Sequence, residues 1–313
     1  MNKLLTVMLS GVLGVCTIFG LSACSVKTNL SADASKYTAG NAVITDKVEA
    51  LDIEWAAGQV IFVTGSGSEV IIEETTKGSI PEDKQMHWYL DGTTLRVRYD
   101  MTLDIFSFGG SGSKTLTVTL PSDLVLKDVE LSVASADIKA DALRCNNVNI
   151  DTASGDVEVT FPDKIDSADF DTASGDMIVK FSGDVGKLDS DAASGDLMAD
   201  IAGNLGSFTG DGASGGVIIT VSGTIGSGKA STASGKVDIS CTGLDDLDID
   251  TASGTVTLHL PETADVSIDF DTASGKFNSE FPVLMDGSIY KLGSGKGSIN
   301  VDTASGNFNI VKR

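Results

Sequence analysis

Apolar and polar residues alternate along most of the chain after residue 130, and the alternation restarts at nearly regular intervals. The phrase Asp-Thr-Ala-Ser-Gly, intact or with a few substitutions, marks each restart. Its glycine occurs eight times, as Gly155, Gly175, Gly195, Gly215, Gly235, Gly254, Gly275 and Gly306. These glycines lie 19 to 21 residues apart as far as Gly275, and a degenerate copy at 291–297 precedes Gly306. A near-constant period of this length is typical of repeat architectures.

Each repeat contains two apolar series on opposite parities. After the glycine, positions two, four and six are mostly apolar, as in Val157, Val159 and Phe161. Before it, positions seven and five are mostly apolar, as in Val148 and Ile150. Alternation with period two indicates a β-strand with one buried face. The change of parity predicts two strands joined at a corner, where glycine tolerates the backbone conformation of a turn or bulge.

The predicted fold class is therefore all-β, a parallel β-solenoid of about 20-residue coils. A coil of this length leaves no room for a helix. Each strand should pair with its copy in the next coil about 4.8 Å away. Strand twist and crossover handedness favour right-handed coiling. We assign the repeat domain to 131–313.

The preceding segment, 41–130, is interpreted as a divergent first coil and a β-rich cap. The sequence at 51–63 fits the repeat with Gly58 at the corner, while 66–120 contains strand-like runs and an Asp-Gly hairpin signal. Solenoid ends need caps against end-to-end pairing. We expect 66–120 to cap the N-terminal end and the charged C-terminal Val-Lys-Arg to blunt the other.

The N-terminus has the features of an export signal. Lys3 precedes a short apolar run that ends in Leu21-Ser22-Ala23-Cys24, as in a secretory signal peptide. This four-residue box resembles the lipobox of bacterial lipoproteins. That resemblance implies a signal peptide over 1–23, acylation of Cys24 and a polar tether over 24–40. The expected location is the extracytoplasmic face of a bacterial membrane, with the lipid as the membrane partner.

The net charge bears on the class of partner, and the cysteine positions bear on disulfide formation. The net charge is −22 and the pI about 4.2, which argues against nucleic acid as a partner because phosphates require Lys and Arg. Cys145 and Cys241 lie about five coils apart, or roughly 23 Å at strand spacing. This separation is too large for a disulfide, so we expect two unpaired thiols.

A column of aspartates is the main candidate for chemistry. Asp151, Asp171, Asp191 and Asp211 each lie four residues before a corner glycine and should face outward. One interpretation is structural, with each carboxylate accepting hydrogen bonds from the following turn. The other is a Ca²⁺ site between neighbouring carboxylates; otherwise no cofactor is expected. A second acidic column directly follows the glycine, as Asp156, Asp176 and Asp196.

Parity places the corner Thr and Ser columns inward, as hydroxyl ladders between coils. If they faced outward, the array could resemble an ice-binding surface. No catalytic residue is predicted: His87 and His259 are the only histidines, no acidic partner is implied for His259, and no serine stands in a nucleophile elbow.

Over about residues 41–313, the Asp-x-x-Ser-Gly-Asp-Val phrase resembles the bacterial "putative adhesin" family of exported β-strand-repeat proteins of unknown function. The resemblance implies a β-solenoid at the cell surface. The favoured function is a non-catalytic module that binds an envelope polymer or protein, with 86–108 as the predicted contact surface. The alternatives are a structural or envelope-stress accessory protein acting on a membrane partner and, third, a polysaccharide-active enzyme.

Overall fold

The computed structural model describes residues 34–99 and 114–313. This part of the chain is almost all β-structure, with two 3₁₀ turns (Ala34–Lys36 and Glu82–Lys84) and no α-helix. The strands are β1 (Thr38–Ala39), β2 (Ala42–Ile44), β3 (Ala50–Gly65), β4 (Val70–Thr76), β5 (His87–Asp91), β6 (Thr94–Arg98), β7 (Lys114–Pro121), β8 (Leu126–Ala140), β9 (Cys145–Thr152), β10 (Val157–Phe161), β11 (Ile165–Thr172), β12 (Met177–Phe181), β13 (Val185–Ala192), β14 (Leu197–Ile201), β15 (Leu205–Gly212), β16 (Val217–Val221), β17 (Thr224–Thr232), β18 (Val237–Ser240), β19 (Gly243–Thr251), β20 (Val256–Leu260), β21 (Val266–Thr272), β22 (Phe277–Ser279), β23 (Leu284–Asp286), β24 (Ile289–Leu292), β25 (Gly297–Thr303) and β26 (Phe308–Lys312).

The chain passes alternately through two parallel stacks of strands, as expected for a β-solenoid. The first stack contains the strands before each corner glycine and the second those after it, while β3 and β8 bend through both. Equivalent residues of the repeat lie opposite one another: Val157 faces Met177, which faces Leu197. The core is the channel between the stacks, where the alternating apolar positions are buried.

The order of coils differs from the order of the chain at both ends. The long strand β3 lies between the coil formed by β6 and β7 and the coil formed by β8. At the other end, β25 lies between β19 and β21, and β26 lies between β20 and β22. The expectation that Val-Lys-Arg blunts the C-terminal end is therefore wrong, because the last strand is inserted between two earlier coils.

Antiparallel strands cover parts of both ends. At the N-terminal end, β4 pairs with β7 and β5 with β6, through a hairpin whose turn contains Gly92 at φ 64°. At the C-terminal end, β24 pairs antiparallel with β21 and with β23. The predicted degenerate repeat at 291–297 is therefore not a corner: it holds the end of β24 and the turn that leads into β25.

The corner glycines are required by the closeness of neighbouring coils. A Cβ atom on Gly215 would lie 1.8 Å from the carbonyl oxygen of Gly195, and one on Gly195 would lie 1.8 Å from that of Gly175. Of the eight corner glycines only Gly155 has a positive φ, 141°. The chain turns from the first stack to the second at these glycines. At all of them except Gly155, steric contact between coils, rather than an unusual backbone conformation, is what requires glycine.

Candidate functional site

The outer surface of the first stack carries two neighbouring columns of carboxylates, which we call the acidic face. One column lies four residues before the corner glycines and the other six before them, so both point away from the core. The first contains Glu54, Asp151, Asp171, Asp191, Asp211, Asp250, Asp302 and Asp271. The second contains Asp52, Glu130, Asp169, Asp189, Asp248 and Asp269.

The structure brings the four predicted aspartates together in direct register. Asp151 lies opposite Asp171, Asp171 opposite Asp191, and Asp191 opposite Asp211. All four are half-buried. The coil of β17 interrupts both columns, with Ser231 opposite Asp211 and the cation Lys229 two residues earlier on the same face. The longest uninterrupted acidic stretch therefore runs from Asp151 to Asp211.

Burial, and after it the crowding of like charges, makes these carboxyl groups harder to ionise. Burial, and then the charges of three neighbouring aspartates, raises the pKa of Asp171 to about 7. Burial also comes first among the causes that raise the pKa of a further set: Asp151, Asp169, Asp191, Asp250 and Asp302. A cation beside this face would offset the repulsion that the carboxylates exert on one another.

Threonine, not aspartate, makes the hydrogen bond at the corner. The Thr172 hydroxyl accepts the N–H of Gly175 at 2.9 Å, and Thr251 accepts that of Gly254 at 2.7 Å. The expected Thr ladder between coils is therefore wrong, because these buried hydroxyls bond within their own coil. The prediction that the corner serines face inward is also wrong. Ser174 is exposed, and its hydroxyl donates to the carbonyl oxygen of Ala153 in the neighbouring coil, 3.3 Å away. The corner is thus complete without the aspartate column.

The second predicted acidic column has a clear structural role. The Asp156 carboxylate accepts the backbone N–H of Asp176 at 3.1 Å, and the Asp176 carboxylate accepts that of Asp196 at 3.0 Å. Asp196 continues the series to the N–H of Gly216 at 2.6 Å. These hydrogen bonds join consecutive coils, so the second acidic column has a role in the fold. Substitutions in this column can therefore serve as controls for substitutions in the acidic face.

Two arginines close the N-terminal end of the acidic face. Arg98 is 8% exposed and donates to both carboxylate oxygens of Asp52, at 2.8 and 3.1 Å. Arg96 also bonds Asp52. Glu54 forms a 3.3 Å ion pair with Arg98. These carboxylates are neutralised by arginines of the protein itself, one of them buried. Near Asp171 and Asp191, Asp189 pairs with the exposed Lys187 instead.

Other candidate residues give no catalytic arrangement. His259 lies 3.0 Å from Asp238 through Nε2, so the expectation that it has no acidic partner is wrong; the signal was their shared outer face in adjacent coils. The Nδ1 atom of His87 lies 2.8 Å from the carbonyl oxygen of Gln85. Cys145 and Cys241 are unpaired, as predicted, and both are buried. Burial raises their thiol pKa values to about 12 and about 11.

Several sequence predictions can be compared with the structure only within the residues that it describes. Within 34–99 and 114–313, no group of three or more His, Cys, Asp or Glu is arranged to hold a metal ion. The described residues also contain no helix long and apolar enough to cross a membrane. Cys24, the signal segment 1–23 and most of the tether lie outside the described residues. Of the predicted contact surface 86–108, Met86 is fully buried, and 100–108 lie outside the described residues.

We predict that the protein becomes more stable as the pH falls from 8 to 5. The raised pKa values mean that the folded state binds these protons more tightly than the unfolded chain does, so the free energy of unfolding rises as they bind. We expect a rise in Tm of roughly 3–8 °C over this range, measured by circular dichroism. Asp171→Asn/Asp191→Asn should raise Tm at pH 8 and flatten the dependence.

The matched control for this experiment replaces the same number of carboxyl groups in the second acidic column. Asp156→Asn/Asp176→Asn keeps an oxygen acceptor for each inter-coil N–H, and it should retain the parent's slope of Tm against pH. If both double variants flatten the curve equally, overall charge rather than the acidic face sets the pH dependence.

Three solved structures and one family model are similar to this chain. The chain is similar to a structure described as a putative adhesin from Bacteroides fragilis, with 12% identity, TM-score 0.40 and 88% and 97% of the two chains covered. A putative adhesin from Parabacteroides distasonis has 14% identity, TM-score 0.46 and the same coverage. A putative cell adhesion protein from Clostridium sporogenes has 13% identity, TM-score 0.22 and coverage of 88% and 100%. No curated protein matches the chain in sequence. A family model described as Toastrack DUF4097 matches residues 48–311, and the chain belongs to that family.

Proposed function

We propose that this protein is an exported, lipid-anchored, non-catalytic binding module whose acidic face contacts a cationic partner. The observation that carries the proposal is the in-register stretch from Asp151 to Asp211, half-buried and with pKa values raised at Asp151, Asp171 and Asp191. The fold does not need this column for its corners, because threonine makes the corner hydrogen bond. Ionised carboxylates at this spacing repel one another, so the column works against stability at neutral pH, which favours a role outside folding.

The partner chemistry follows from the geometry of the face. Carboxylates recur along the solenoid axis at about 4.8 Å, and side chains two residues apart on one strand lie roughly 6.6 Å apart. A rigid grid of this kind fits several amino or guanidinium groups carried on one extended chain. We therefore assign the partner to basic protein segments or amine-bearing envelope polymers. Binding would neutralise carboxylates that now repel one another.

Anchoring at the membrane is the second part of the proposal. It rests on the basic head, apolar run and Leu-Ser-Ala-Cys box at the N-terminus. Metabolic labelling with a radioactive fatty acid tests it directly. The parent chain should incorporate label and Cys24→Ser should not; equal labelling of both chains would contradict the assignment.

Binding is tested with a fluorescent oligolysine peptide and two double variants. We expect Asp171→Asn/Asp191→Asn to weaken binding several-fold more than Asp156→Asn/Asp176→Asn, although each replaces two carboxyl groups. Affinity should fall with added salt, because screening shortens the Debye length to about 10 Å at 0.1 M. Equal weakening in both variants would reduce the effect to net charge and refute the assigned face.

Calcium provides the decisive alternative arm of the same experiment. If Ca²⁺ raises Tm saturably at concentrations where Mg²⁺ has no effect, and Asp171→Asn/Asp191→Asn abolishes the rise, the face is a metal site. That result would replace the cationic partner proposed above. Similar, weak effects of the two ions would support it.

A further inference from the structure

The C-terminal end of the second stack has a strand whose outer edge is free. Strand β22 pairs with β26 on one side, and within the described part of the chain no strand pairs with its other side. The backbone N–H of Phe308 donates to the carbonyl of Lys276, and that of Glu280 donates to Ile310. Because backbone groups alternate in direction along a strand, those of Phe277 and Ser279 point away from β26.

The side chains at this edge are less covered than their equivalents in other coils. Phe277 occupies the column that holds Val157, Met177 and Leu197, which are at most 2% exposed. Phe277 itself is only half-buried, although its ring lies 4.4 Å from that of Tyr290 and 5.3 Å from that of Phe308. Nearby, Leu284 and Met285 are 70% and 65% exposed. An exposed edge with apolar neighbours is a template for pairing with another chain.

The sequence of this edge is complementary to itself. Residues 276–280 read Lys-Phe-Asn-Ser-Glu, and both Lys276 and Glu280 are exposed. In an antiparallel pair centred on Asn278, Lys276 faces Glu280 of the second copy, and the reverse pair forms by symmetry. Opposite charges across an antiparallel pair are stabilising. The same register sets Phe277 against Ser279 of the second copy, the two residues whose backbone groups are free to bond.

We propose that two copies of this chain associate end to end through β22, in an antiparallel, twofold-symmetric pair centred on Asn278. Such an interface uses the same patch on both copies and closes on itself. It extends the second stack across the dimer and covers the outer side of Phe277. Each solenoid is about 50 Å long at strand spacing, so the two N-terminal ends would lie roughly 100 Å apart. The pairing does not depend on the acidic face.

Cysteine crosslinking in the full chain tests the register. Opposite residues in a non-hydrogen-bonded antiparallel pair have Cα atoms about 4.5 Å apart, within the range of a disulfide. Asn278→Cys should therefore form a covalent dimer on mild oxidation. Asn309→Cys is the matched control, because Asn309 lies beside Asn278 on β26 but between two strands. Cys16 and Cys24 are replaced by Ser in every variant, and the native Cys145 and Cys241 are buried. The chain with no further substitution should therefore stay monomeric on the gel.

A charge exchange tests the contact itself. In the Asn278→Cys background, Lys276→Glu should reduce the covalent dimer at least fivefold, and Lys276→Glu/Glu280→Lys should restore it. Lys236→Glu, at the same repeat position in an interior coil, should have no effect. The restoration distinguishes a lost contact from a misfolded variant. No dimer with Asn278→Cys, equal dimer with Asn309→Cys, or no response to Lys276→Glu would each overturn the proposal.

Discussion

Gly215→Ala is expected to unfold or severely destabilise the centre of the solenoid. The new methyl group would lie 1.8 Å from the carbonyl oxygen of Gly195, which is backbone and cannot rotate away. Relief requires separating two coils that are joined through both stacks by β13 to β16. Overpacking of this kind costs about 1–3 kcal/mol and more where the backbone cannot yield. We expect a loss of at least 3 kcal/mol, measured by urea unfolding with circular dichroism.

The neighbouring residue provides the control. Gly216 follows directly in the chain, but a Cβ there would lie 3.3 Å from the flexible Lys236 side chain and 3.3 Å from the Asp196 carboxylate. Gly216→Ala should therefore cost less than about 1 kcal/mol. If Gly215→Ala and Gly216→Ala cost the same, the close approach of coils is not what excludes a side chain at the corner.

The corner also shows how far sequence reasoning reaches. The period and the parity change placed the corner at Gly215 and its copies, because those signals are local. The steric cause was not visible, because it depends on how closely Gly195 of the next coil approaches. Thr172 and Asp171 illustrate the same limit: parity placed threonine inside, yet the hydrogen bond to the corner was assigned to the outward aspartate. Only an inward residue reaches the N–H of Gly175.

The order of coils could not be read from the sequence. The strands around Phe277 and Phe308 carry the same apolar pattern, and parity says which residues face the core but not which coil lies next. Consecutive repeats were therefore expected to be neighbours throughout. The structure places Phe308 between Val256 and Phe277. The candidate site was predicted better, because Asp151 to Asp211 belong to coils that do follow chain order.

Beyond the repeats, the N-terminal cap depends on a buried ion pair that the sequence did not reveal. The Lys114 ammonium lies 2.7 Å from Glu74, with side-chain exposures of 0% and 4%. It also donates to the carbonyl oxygens of Lys84 and Tyr99 and lies 4.0 Å from the Tyr99 ring centroid. The second Glu74 oxygen accepts the Met86 N–H at 3.0 Å. The Lys114 ammonium thus connects β7 to β4, to the residue after β6 and to the end of the second 3₁₀ turn.

Lys114→Met should destabilise the cap by about 3–5 kcal/mol, because it leaves the Glu74 carboxylate buried without a cation. Lys114→Met/Glu74→Gln should recover much of the loss, since glutamine keeps an acceptor for Met86 and carries no charge.

Two spectroscopic signals separate the cap from the repeats. The two tryptophans of the chain, Trp55 and Trp88, both lie in the N-terminal part, so their fluorescence reports on the cap. Circular dichroism reports on the whole stack. We expect the fluorescence transition of Lys114→Met to move to lower urea ahead of the dichroism transition. Lys312→Met, which breaks an exposed pair with Glu262, should change neither. Coincident transitions in Lys114→Met would mean that cap and repeats unfold as one unit, whereas no recovery in the double variant would mean that the lysine acts through packing rather than charge.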